Sequence, residues 1–75
     1  MVTVYSKPNC MQCNFTKKYL EDKEVTFQVL DVTESEEALD HVKALGFSSL
    51  PVVEAEGIEP FSGFRPDRLE SLAQD

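Results

Sequence analysis

The chain holds two cysteines, and both fall in one four-residue stretch, Cys10-Met11-Gln12-Cys13. That stretch sits on a seam. Before it, Val2-Thr3-Val4-Tyr5 alternates β-branched and aromatic side chains and reads as a strand. After it, Met11 to Lys23 brings Phe15, Tyr19 and Leu20 at helical spacing with lysines between them, which predicts a helix. Ser6 to Asn9 is then a turn, since Pro8 cannot continue a strand. Cysteines three apart at a helix start lie on neighbouring positions, within bridging distance.

Three chemistries suit such a pair. As a permanent staple, a bridge across so short a loop supplies only about 2 kcal/mol by chain entropy, and small disulfide-built folds use several bridges. As a structural metal site, the pair needs two further ligands, and the single histidine, His41, stands far along the chain. As a reversible redox couple, the pair needs nothing else. That third reading gains weight when the cysteines follow a strand and open a helix within a βαβ unit.

The remainder of the chain supplies that context. Thr26 to Val32 reads as a second strand. Thr33 or Ser35 caps a helix whose early glutamates, Glu34, Glu36 and Glu37, suit the positive end of its dipole. Ala38, Leu39, Val42 and Leu45 form that helix's apolar stripe, and Gly46 stops it. Pro51 precedes a short strand at Val52-Val53, Glu56-Gly57 turns the chain, and Ile58 to Phe61 is expected to return as a strand that, because it carries Pro60, lies at an edge or stops early. Pro66 opens a last helix through Leu69, Leu72 and Ala73. The order is βαβαββα, an α/β arrangement. The first βαβ connection is expected to be right-handed with parallel strands, and the last two strands to be antiparallel. The cysteines fall at the carboxyl end of the first strand, where open α/β sheets place their sites.

Charge narrows the partners. Fourteen acidic residues against seven basic ones give a formal charge of −7, which disfavours nucleic acid and anionic membranes. No apolar run reaches bilayer-spanning length, and the N-terminal residues lack a secretory pattern, so the expectation is one cytoplasmic domain over residues 1–75, acting as a monomer.

The order, with Cys-x-x-Cys after the first strand and a proline before the third, resembles the minimal thioredoxin fold at the size of a small glutaredoxin: a central four-stranded mixed sheet flanked by three helices. Further motifs resemble the NrdH-redoxin family, glutaredoxin-like electron donors to class Ib ribonucleotide reductase. They are Cys10-Met-Gln-Cys13, Thr16-Lys17-Lys18, Gly46-Phe47, Leu50-Pro51-Val52-Val53 and, most specifically, Ser62-Gly-Phe-Arg-Pro-Asp67. Phe61 stands where that family often carries tryptophan.

The resemblance implies a dithiol carrier with no bound cofactor or metal. Electrons come from NADPH through thioredoxin reductase and pass to the large subunit of the ribonucleotide reductase. The runner-up functions are a general glutathione-dependent glutaredoxin and an iron–sulfur or zinc carrier using the same cysteines. Cys10 is the expected nucleophile, its thiolate favoured by the helix N-terminus and by Lys7, and Cys13 is the resolving thiol that closes the Cys10–Cys13 disulfide. Pro51 is expected to be cis, presenting the main chain of Leu50 to a substrate segment. Met11, Gln12, Phe61, Ser62, Gly63, Phe64 and Arg65 join Lys7 and Leu50 as the partner-binding set. His41 reads as a surface residue, Asp31 as a residue that starts the approach to the second helix, and Lys17 as a candidate source of positive potential near the sulfurs.

Overall fold

A computed structural model describes residues 1–73. Strand β1 (Val2–Ser6) is followed by helix α1 (Met11–Asp22), strand β2 (Phe27–Asp31), helix α2 (Glu36–Ala44), strands β3 (Val52–Glu54) and β4 (Phe61–Ser62), and helix α3 (Pro66–Leu72). The sheet order is β2-β1-β3-β4. β1 runs parallel to β2 and antiparallel to β3, and β4 is antiparallel to β3. This is the expected thioredoxin-like architecture, a mixed four-stranded sheet with three helices.

Because side chains alternate along a strand, each strand serves two faces. Val2 and Val4 of β1 join Val53, Phe61, Leu20 and Leu69 in one core under α1 and α3. Tyr5 and Val52 join Val32, Ala38 and Val42 in a second core under α2. Every residue of β1 is buried, as a central strand covered on both faces requires.

Three expectations shift. The return strand is Phe61–Ser62 rather than Ile58 to Phe61, because Pro60 brings no N–H to the ladder and pairing starts only beyond it. α1 buries Cys13, Thr16 and Leu20, while Phe15 is 49% exposed. The Thr16 hydroxyl donates to the carbonyl of Gln12 at 2.9 Å, so a polar residue can be fully buried on that face. Val29, whose apolar place in the second strand predicts a core position, is instead exposed because β2 is an outer strand of the sheet. Between the two candidate caps of α2, Ser35 takes the position: its Oγ accepts the Ala38 N–H at 3.2 Å.

Candidate active site

The turn after β1 closes on Asn9, whose φ of 60° is one of the left-handed conformations that asparagine tolerates well. It delivers Cys10 in extended conformation to the N-cap of α1. There a sulfur takes the place of the usual capping oxygen: Cys10 Sγ accepts the Cys13 N–H at 3.2 Å. Cys10 and Cys13 are bridged, with Cα atoms 5.2 Å apart. Cys10 keeps 8% exposure and Cys13 has none, so solvent reaches the first residue of the pair and not the second.

Two segments from distant parts of the chain flank the bridge. The Leu50–Pro51 peptide is cis, and the Pro51 carbonyl accepts the Gly63 N–H at 2.8 Å. Gly63 adopts φ +85°, a conformation open to glycine, and an added Cβ would meet Gln12 Oε1 at 3.6 Å. The next N–H, that of Phe64, donates to Gln12 Oε1 at 3.2 Å. The Phe64 ring then lies against Phe15 and Tyr19, with centroids 5.8 and 6.3 Å away. Residues 62–64 are thus tied at once to the proline loop, to the residue between the cysteines and to the aromatic face of α1.

On the other side, Lys7 and Leu50 border a cleft of about 410 Å³ that runs toward α2. Its walls include Leu39, Val42, Lys43 and Phe47. Neither Lys43 nor Phe47 was selected from the sequence as a site residue. The signal available was Phe47 standing just past the helix-stopping Gly46.

Of the expected partner-binding residues, Met11 is exposed beside the bridge, Arg65 is exposed at the N-cap of α3, and Ser62, Gly63 and Phe64 are half-buried. Gln12 is exposed, but its carboxamide oxygen is directed to the Phe64 N–H. Phe61 does not belong to the set. The alternation of β4 turns it into the core, where it is 4% exposed with the Arg68 guanidinium 4.9 Å from its ring centre.

The remaining titratable groups serve the frame. Asp31 accepts both the N–H and the hydroxyl of Thr33, at 2.8 and 2.6 Å, and its carbonyl accepts from Glu34 and Ser35. Together they shape the approach to α2, and the two bonds from Thr33, with a smaller contribution from the charge of Lys17, hold the Asp31 carboxyl below the usual carboxylate range. His41 Nε2 lies 3.0 Å from Glu54 Oε1, which also accepts the Tyr5 hydroxyl at 2.9 Å. Burial, then the hydrogen bond to Glu54 and its charge, push the Tyr5 phenol up to about 12. Among the described residues no three His, Cys, Asp or Glu side chains gather as a metal site, and no helix is long and apolar enough to cross a membrane.

Known proteins share this arrangement. The Glutaredoxin family profile matches residues 2–58. The glutaredoxin-like protein NrdH of Lactococcus lactis subsp. cremoris is 45% identical over 73 residues, covering 97% of this chain and all of that protein. The corresponding protein of Salmonella typhimurium is 41% identical over 71 residues, covering 95% of this chain and 86% of its own length. Among solved structures, the glutaredoxin-like NrdH-redoxin of Escherichia coli superposes with a TM-score of 0.90 at 38% identity, covering 95% of this chain and 92% of that one.

Proposed function

The chain belongs to the glutaredoxin family, among its NrdH glutaredoxin-like proteins, and is a thiol–disulfide oxidoreductase; on that footing we propose that it is a dithiol electron carrier between thioredoxin reductase and a class Ib ribonucleotide reductase. The observation that carries this reading is the asymmetric sulfur pair: Cys10 at the helix N-cap with residual exposure, Cys13 fully buried behind it.

In the reduced protein, the Cys13 N–H and the N-terminus of α1 favour the Cys10 thiolate. That thiolate attacks one sulfur of a partner disulfide, forming a mixed disulfide and expelling the partner's other sulfur as a thiolate, which takes a proton from solvent. The Cys13 thiolate then attacks Cys10 Sγ, displaces the second partner thiolate and closes the Cys10–Cys13 bridge. Two electrons have passed to the partner. The reductase, charged by NADPH, reopens the bridge through its own dithiol, so the carrier itself needs no bound cofactor. The acceptor is the large subunit of the ribonucleotide reductase, whose disulfide must be reduced after each turnover. The protein works as a cytoplasmic monomer.

Reduction by thioredoxin reductase rather than by glutathione draws support from the Escherichia coli relative, described by a thioredoxin-like activity profile. The loop chemistry agrees. The Phe64 and Gly63 N–H groups, donors suited to a ligand carboxylate, are already taken by Gln12 and Pro51.

The test follows NADPH oxidation with insulin as the disulfide. Turnover is expected with thioredoxin reductase, and addition of the ribonucleotide reductase is expected to yield deoxyribonucleotides only when this protein is present. Turnover solely with glutathione and glutathione reductase would overturn the proposal.

A further inference from the structure

The site holds a third sulfur that the exchange reaction does not use. Met11 is the first residue of α1, next in sequence to Cys10, and is 70% exposed. Cys10 and Cys13 are buried and tied to each other. In the bridged protein the most accessible sulfur of the site is therefore the Met11 thioether. Met11 and Phe15 stand four apart on α1 and share one side of the helix. Phe15 is itself exposed, and its ring lies against that of Phe64. An apolar strip thus runs along α1 from the cysteine pair, with Met11 as its end next to Cys10. The chain's other methionine, Met1, is 67% exposed but precedes β1, at the end of that strand away from the cysteines.

We infer that Met11 is an oxidative modification site, at which a hydroperoxide converts the thioether to a sulfoxide and thereby slows exchange between Cys10 and protein disulfides. The inference rests on the exchange activity of the Cys10–Cys13 pair. With hydrogen peroxide as oxidant, the Met11 sulfur attacks one peroxide oxygen, an S–O bond forms and the O–O bond breaks. The departing hydroxide takes the proton of the transferred oxygen and leaves as water. Met11 loses two electrons and the peroxide gains them. The cysteines meet the same oxidant with a different outcome. A sulfenic acid formed at Cys10 condenses with Cys13, loses water and gives the ordinary bridge, which thiol exchange reopens. A sulfoxide holds no sulfur–sulfur bond for that exchange to open, so it outlasts the cycle until a methionine sulfoxide reductase removes it. The consequence is physical. A flexible apolar side chain becomes polar, and a protein whose disulfide approaches Cys10 must strip water from the new oxygen.

The experiment treats the bridged protein with hydrogen peroxide, removes the oxidant, locates added oxygen by peptide mass spectrometry, opens the bridge with dithiothreitol and measures the single-turnover rate on insulin. Met11 is expected to take one oxygen. The treated protein is expected to react roughly three- to thirtyfold more slowly than the untreated protein, and methionine sulfoxide reductase to restore the rate. Met11→Gln, a polar side chain of similar length, is expected to be slow without any peroxide. In Met11→Leu the ratio of treated to untreated rates is expected to stay near one, although Met1 is oxidised there as well. Each ratio is internal to one protein preparation, so differences in folding between variants cancel. Three results would overturn the inference while leaving the exchange activity standing: Met11 untouched while Met1 is converted, an unchanged rate with Met11 fully oxidised, or an equal loss in Met11→Leu. Failure of the untreated protein to reduce insulin would instead strike the exchange activity, and the inference with it.

Discussion

On the α1–α3 side of the Cys10–Cys13 bridge, the Gly63 and Phe64 N–H groups are held by Pro51 and Gln12, and the Phe64 ring lies on Phe15 and Tyr19. On the α2 side, the Leu50 main chain is unpaired among the described residues, and an apolar cleft opens between two lysines. The first flank has its polar groups satisfied and its aromatic surface assembled before any partner arrives. The second leaves donors, acceptors and charge in place for a partner to use. A thiol–disulfide oxidoreductase gains from this division. A preformed surface docks at little ordering cost, while an open groove with unpaired main-chain groups suits an extended chain segment.

The largest way to disturb the comparison is to loosen the closed flank from beneath. Leu69 is fully buried where α3 meets the sheet, and Leu69→Ala is expected to cost about 2–5 kcal/mol in urea unfolding. The packing on the α2 flank should survive in whatever fraction remains folded, because that flank has a separate core.

A smaller change addresses the latch itself. Gln12→Met keeps the length of the side chain but removes the acceptor for the Phe64 N–H. The expected loss is about 0.5–1.5 kcal/mol of loop stability, read as faster hydrogen exchange at the Phe64 amide and a raised KM for the reductase. Gln12→Glu, which retains an acceptor oxygen, should restore protection of that amide.

Near neutral pH the third change is silent. Tyr5 anchors the α2 flank through Glu54, and its folded pKa stands above the ordinary phenol value of 10.0, at about 12. A raised folded value means the folded state holds the proton more tightly. The contribution is therefore complete below pH 10 and is lost as pH climbs from about 10 to about 12. Alkaline unfolding of wild type should show this decline, and Tyr5→Phe should flatten it.

The sequence carried the element order and the sulfur site because both are written locally. Period-two and period-3.6 patterns, prolines and a cysteine pair at a strand–helix seam need no knowledge of the rest of the chain. What it did not carry depends on how elements cross. Phe15 fits a helical stripe, yet the residues α1 buries are Cys13, Thr16 and Leu20, so Phe15 is left to meet Phe64, forty-nine residues further along the chain, in a tilted ring contact. Phe61 was expected at the surface beside the glycine, and the two-residue strand turned it inward. Lys43 and Phe47 became wall residues only once the loop before Pro51 folded back beside α2. Gln12 sits inside the motif, but that its oxygen is directed to a main-chain N–H on another loop is a tertiary fact with no sequence signature.

The most direct measurement of the central claim uses the unequal sulfurs. Reduced Cys13→Ser protein is mixed with insulin or with the reductase and examined by mass spectrometry without reductant. The account predicts accumulation of a stable one-to-one mixed disulfide through Cys10, with multiple turnover lost. Normal turnover by Cys13→Ser, or trapping by Cys10→Ser instead, would contradict it.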